Sequence, residues 1–322
     1  MKNQVFNSKS LFLSLLLIIG ISFSLSAQKE VKKEISESYK VSQDFTLEVE
    51  NKYGSIDIVN WDKKELEVVI EMVVKAPSEE KAQKILDKID VDINESGNGV
   101  AFVTQMDIKN MGNKINVEVN YKISAPSSIN AKLTQKYGGI FIEELTGDVS
   151  LVIKYGNLMA QSLVNKKDNV NELVLAYSNA EIAEAGKLEA KLAYSEIKLE
   201  SVGSYEGKLA YSKLAAVNLT GKLVLDAAYS SVKVENVVAG FKTINVTAAY
   251  GNVKIGMDAE AAYTYEMESK YGGLNAPAGA VKVSENDHDH GPDHHKAVKG
   301  SVGSSPTGKV IVSVKYGNAY LK

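Results

Sequence analysis

The chain has 322 residues, a net charge of −3, no cysteine and no arginine, so that all 37 basic residues are lysine. These counts exclude a disulfide framework, a thiolate nucleophile, a lipidated cysteine and the guanidinium clamp for phosphate or guanine. The acidic balance argues against nucleic acid as a partner, and tyrosine is in excess, with 16 residues against seven Phe and one Trp.

Lys2 and Lys9 precede an apolar run from Leu11 to Leu25, and Ser26-Ala27 follows as a small-residue cleavage site. This pattern reads as a signal peptide over 1–27, cleaved before Gln28, with an uncleaved N-terminal anchor as the alternative. With no cysteine behind the apolar run, a bacterial lipoprotein leader is not expected. No second apolar run follows, so no transmembrane span is expected in the mature chain, which is exported to the periplasm, the cell surface or the medium.

Residues 28–125 read as an N-terminal β-rich cap domain. Alternating segments at 31–39, 44–50, 55–60 and 65–74 predict strands. Ser78 can cap a helix running to about Ile89, with Glu79 and Glu80 in its first turn and Ala82, Ile85, Leu86 and Ile89 on one face. Strands near 90–95, 99–107 and 114–124 follow, and Ala125-Pro126-Ser127-Ser128 is a hinge.

Residues 126–322 carry a repeat of Lys or Ala, then Tyr, then Gly or Ser. Counting one copy inside the cap, its tyrosines are Tyr53, Tyr137, Tyr155, Tyr177, Tyr194, Tyr211, Tyr229, Tyr250, Tyr271 and Tyr316. From Tyr137 to Tyr271 the intervals are 18, 22, 17, 17, 18, 21 and 21. That period is too short for a helical repeat or a propeller blade and suits one coil of a β-solenoid. Apolar residues alternate before each Tyr, as in Leu173, Leu175 and Tyr177, and resume three and five residues after it, as at Ile197 and Leu199 after Tyr194. The odd step marks a corner, and each coil becomes strand, corner, strand, loop. Stacked coils place the corner tyrosines above one another. Because Tyr keeps the inward phase of the strand before it, the expectation is a buried core stack rather than an exposed aromatic stripe for sugars or partners. The residue before Tyr faces out, as Lys at both ends and as Ala176, Ala193, Ala210, Ala228 and Ala249 in the middle. The 45-residue interval from Tyr271 to Tyr316 predicts a loop inserted over 275–308, with no separate cap behind the last coil.

Tyr53-Gly-Ser-Ile-Asp-Ile-Val-Asn-Trp61-Asp62, with the alternating run after Glu65 and the later Tyr-Gly-Asn-Val repeat at Tyr250 to Val253, resembles the bacterial putative-adhesin domain family of exported β-solenoids. The resemblance covers about residue 40 to the end. It implies an all-β fold, a right-handed single-stranded β-solenoid (β-helix) at the cell envelope, here with an N-terminal β-rich cap carrying one helix. It brings no catalytic residues. Ser in place of Gly after four central tyrosines, and a His-rich insertion, are departures from it.

All four histidines, His288, His290, His294 and His295, lie in that insertion and are the candidate metal ligands for Zn, Ni or Cu. The reading is a solvated loop with adventitious Zn or Ni affinity, and no cofactor is expected. With every His there, no Ser–His pair can form in the coils. Glu181, Glu184, Glu196, Glu200 and Glu235 are scattered among lysines as on a solvated face, so no catalytic pair of carboxylates is expected. The functional expectation is a non-enzymatic exported envelope or surface scaffold for adhesion, its partner an unknown protein or glycan. The alternatives are a carbohydrate-binding or carbohydrate-cleaving β-helix and metal capture by the His-rich loop.

Overall fold

The computed structural model describes residues 28–108, 114–278, 280–285 and 295–322. The signal-peptide segment and His288, His290 and His294 lie outside the described residues. Among those described, the chain is all-β, with 22 strands and one helix.

The N-terminal part contains β1 (Lys29–Lys40), β2 (Thr46–Asn60), β3 (Glu65–Ala76), α1 (Glu79–Leu86), β4 (Ile89–Ser96), β5 (Gly99–Met106) and β6 (Asn116–Ala125). Two segments predicted separately, 44–50 and 55–60, are the two arms of β2, which bends at Tyr53 with φ of 64°. The first arm pairs parallel with β5, the second with β6. β4 then lies antiparallel on β5, and β3 and β1 extend the sheet beyond β6. Seven of the twelve residues of the outer strand β1 are charged, which discourages edge-to-edge pairing. Ser78 Oγ accepts the Lys81 N–H at 3.3 Å and caps α1, whose Ala82, Ile85 and Leu86 are buried against β1 and β3. The helix stops before the expected Ile89 because that residue opens β4, opposite Met106.

The other edge of β2 carries the repeats. In chain order these are β7 (Asn130–Leu145), β8 (Val149–Lys154), β9 (Asn157–Leu163), β10 (Val170–Ala176), β11 (Asn179–Ala193), β12 (Glu196–Ala210), β13 (Lys213–Ala228), β14 (Ser231–Val237), β15 (Thr243–Ala249), β16 (Val253–Met257), β17 (Tyr263–Lys270) and β18 (Leu274–Asn275). Along the stack, segments before a corner Tyr pair with one another, and segments after it likewise, in parallel, with register shifts at Val202/Ser204 and Val234/Val237. Each rung thus contributes one segment to each of two facing ladders, with Leu and Ile of both pointing between them, such as Leu175 and Ile182. β2 is the first rung, since Lys52 and Gly54 pair with Lys136 and Gly138 across the boundary at 125. Polar groups join cap and first rung. Asn51 Nδ2 donates to Val119 O at 2.8 Å, Thr104 Oγ1 donates to Asn51 Oδ1 at 3.0 Å, and Thr104 shares a hydrogen bond of 2.7 Å with Tyr121 Oη. Burial pushes the Tyr121 phenol up to about 12 against the pull of that last bond.

Tyr205 occupies a core position held by Leu188 and Leu223 in the adjacent rungs. The small Ala190 and Gly207 lie one inward step away and leave space for the ring. Its hydroxyl is buried with no hydrogen-bond partner among the described residues, and desolvation raises its pKa. Removing an unpaired buried hydroxyl while keeping the ring relieves a desolvation cost. Tyr205→Phe is therefore expected to stabilise the protein by about 1 kcal/mol in urea titrations; a loss of similar size would show that the hydroxyl has a partner after all.

The C-terminal end departs from the sequence reading. The insertion 275–308 is not a plain loop, because it carries β19 (Val281–Glu285) and β20 (His295–Val302), and β20 lies antiparallel on β17. This hairpin covers the end of one ladder, so a cap does exist there. Its short strands lack the corner motif, which hides them from a repeat-based reading. The chain then turns through Gly303 and Ser305, both with positive φ. β21 (Gly308–Lys315) passes back between β15 and β17, and β22 (Ala319–Leu321) between β16 and β18. The last rung in sequence is the ninth in space.

Candidate functional site

The repeated Tyr sets the corner by its backbone. All ten corner tyrosines have φ between 52° and 64°, the left-handed region that costs an L-residue roughly 1–2 kcal/mol. The kink turns both Tyr and the residue before it outward and the following Gly or Ser inward. Tyr137, Tyr155, Tyr177, Tyr194, Tyr211, Tyr229, Tyr250 and Tyr316 are 40–52% exposed, so the expectation of a buried stack is corrected. The stacking itself is present, but on the outside.

The rings form one continuous ladder in the order 53, 137, 155, 177, 194, 211, 229, 250, 316, 271. Successive centroids are 4.6–5.2 Å apart and the planes are within 14° of parallel. Each stacked pair returns about 0.5–1.5 kcal/mol, which offsets much of the backbone cost. The corners stay bonded along the stack: the N–H of Tyr177 donates to Ala193 O at 3.0 Å and that of Tyr194 to Ala210 O at 3.0 Å.

Beneath the rings, the Gly-to-Ser departures have a structural role. The N–H of Ser178 donates to Ser195 Oγ at 3.1 Å, that of Ser195 to Ser212 Oγ at 3.1 Å, and that of Ser212 to Ser230 Oγ at 2.9 Å. Each of these four hydroxyls in turn donates to the carbonyl two residues back, as Ser195 does to Ala193 O at 2.8 Å. The buried serines thus supply the inner hydrogen bonds of four corners.

The ladder leaves ring edges and hydroxyls exposed, because the ring faces cover one another. Beside it runs the outward column Lys52, Lys136, Lys154, then five alanines, then Lys315 and Lys270. Four of the five alanines are half-buried at the corner, and Ala228 is exposed.

Elsewhere, an open concavity of about 630 Å³ lies along the far ends of the second-ladder segments, lined by Glu143, Glu144, Glu184 and Glu200 with Gln161 and Asn218. It is shallow, and Glu143 Oε2 already accepts the Asn60 N–H at 2.8 Å. Of the predicted metal ligands, only His295 is described. It opens β20, with Nε2 2.9 Å from Glu268 Oε1 on β17. Among the described residues no three His, Asp or Glu side chains gather into a metal-holding group, and no helix is long and apolar enough to cross a membrane.

No family model and no curated protein matches the chain. Solved structures are similar to it. A protein described as a putative lipid binding protein from Parabacteroides distasonis shares 8% identity at a TM-score of 0.42, with 90% of this chain and 96% of that one covered. A putative adhesin from the same organism shares 10% at 0.38, over 70% and 90% of the two chains. A putative adhesin from Bacteroides fragilis shares 13% at 0.31, over 90% and 97%. Two of these three carry the adhesin description of the family that the Tyr53 segment resembles, but at this distance no function transfers.

Proposed function

We propose that the protein is an exported, non-catalytic right-handed β-solenoid of the cell envelope, an adhesin-type scaffold whose contact surface is the tyrosine ladder. The observation that supports this is the ladder itself. Eight tyrosines about half exposed in one unbroken row present roughly 800 Å² of largely apolar surface, more than a typical monomer leaves uncovered and about one partner's share of a standard interface. A row one ring wide and roughly 35 Å long fits an extended partner better than a globular one.

The test uses Tyr177→Asn, Tyr194→Asn and Tyr211→Asn combined. Asn tolerates the left-handed backbone, so the variant removes rings without breaking corners. Binding of the purified protein to arrayed glycans and immobilised envelope polymers is expected to weaken at least tenfold. Undiminished binding by the triple variant would remove the ladder from this role, and release of reducing sugar from any polymer would replace the scaffold by a carbohydrate-cleaving enzyme.

A further inference from the structure

Resting on that reading, we infer that the ladder's occupant is a linear acidic polysaccharide lying along the stack axis. The ring faces are already stacked at 4.6–5.2 Å, so neither the flat face of a sugar nor a nucleic-acid base can lie on them. What remains is a row of phenol hydroxyls, one per rung, each able to donate and accept a hydrogen bond. An extended 1,4-linked pyranose chain advances by a comparable step per ring and carries hydroxyls to meet that row.

Charge selects the acidic form. In the two outward columns on the flank that precedes the tyrosines, Lys52, Lys136 and Lys154 lie beside the first rungs. Lys191 and Lys208 continue the positive edge one column further out, in register with each other. Lys315 and Lys270 close the far end. Seven lysines thus face three acids, Glu50, Asp226 and Glu268, in a chain whose net charge is −3. Among the described residues Lys136, Lys154 and Lys208 have no ion-pair partner. A second copy of the chain is a poorer occupant, because lysines at both ends of the ladder would oppose lysines in either alignment. Rings this closely stacked also leave no gaps into which another ladder could insert.

Affinity electrophoresis through gels carrying polygalacturonate, neutral hydroxyethyl cellulose or single-stranded DNA tests this with the purified protein. Retention by polygalacturonate alone is expected, weakened at least tenfold in the combined Lys136→Gln, Lys154→Gln and Lys208→Gln variant and reduced by added salt. These lysines are exposed, so the variant should keep the melting temperature of the parent. Equal retention by the neutral polymer, or no effect of the lysine changes, overturns the acidic-glycan inference and leaves the contact reading standing. Equal retention by DNA identifies a general polyanion surface and also overturns it. No retention by polygalacturonate, with ring-dependent binding to another partner on the arrays, refutes this inference alone, whereas ring-independent binding there refutes the contact reading.

Discussion

Cysteines replacing Lys270 and Lys315 will form a disulfide, as will cysteines replacing Ala249 and Lys315, whereas a pair replacing Ala249 and Lys270 will not. The native chain has no cysteine, so each pair is read without background. The pattern follows from rung order. Lys315 stands directly opposite Ala249 on one side and Lys270 on the other, because β21 lies between β15 and β17. Neighbouring parallel strands are about 4.8 Å apart, inside the Cα range of a disulfide, and two rungs are about 10 Å, outside it. Had the rungs stacked in sequence order, Ala249 would neighbour Lys270 and not Lys315, so those two pairs would exchange outcomes while Lys270–Lys315 still closed. The Lys270–Lys315 bridge closes a loop of about 45 residues and is expected to stabilise by about 4 kcal/mol in the chain-entropy account, read as a rise in melting temperature lost on reduction. Oxidation of the Ala249–Lys270 pair with none of the Ala249–Lys315 pair would refute the inserted rung.

The same insertion shows where the sequence stops being informative. The ten corner motifs, the strand after each and the capped helix at Ser78 were legible, because period 2, a phase slip and an N-cap are local signals. The rung order was not. β17 and β21 carry equivalent corner motifs, and the 21-residue spacing from Tyr250 to Tyr271 suits a next-in-line rung. Which of them abuts β15 is decided by the path through the β19–β20 hairpin. Tyrosine exposure escapes the sequence pattern for a different reason. The inward residues run two before the Tyr, then one, three and five after it, as with Leu192, Ser195, Ile197 and Leu199. The slip was visible, but alternation alone cannot say whether Tyr belongs to the strand before the kink or to the kink. The left-handed φ assigns it to the kink, and with that the candidate site moves from the core to the surface. The lysine columns beside the ladder were legible only in part. The motif itself turns the lysines before Tyr outward, whereas Lys191 and Lys208 join them through register between strands.

Gly156→Ala is expected to cost about 3 kcal/mol, although it adds one methyl group at a corner where the next rung already carries a serine. A Cβ on Gly156 would lie 1.8 Å from Gly138 O, a backbone atom pinned in the stack, so a rung must shift to admit it. Gly138 stands in the same relation to Gly54 O, Gly317 to Gly251 O and Gly251 to Ser230 O, each at 1.8 Å, so the constraint belongs to the Gly-type corner. At the Ser-type corners the side chain instead meets a donor: Ser178 Oγ accepts the Gly156 N–H at 3.2 Å, and Ser195 Oγ the Ser178 N–H at 3.1 Å. Ser195→Ala therefore adds no atom, and its expected cost is about 1–2 kcal/mol, from the Ser178 N–H left buried without an acceptor. Urea titration of the two variants separates the mechanisms. A large loss for Gly156→Ala with a smaller one for Ser195→Ala supports two corner types, one set by space and one by hydrogen bonding. Equal and small losses would mean that the corner peptide rotates freely, and the Gly and Ser rungs would then be interchangeable.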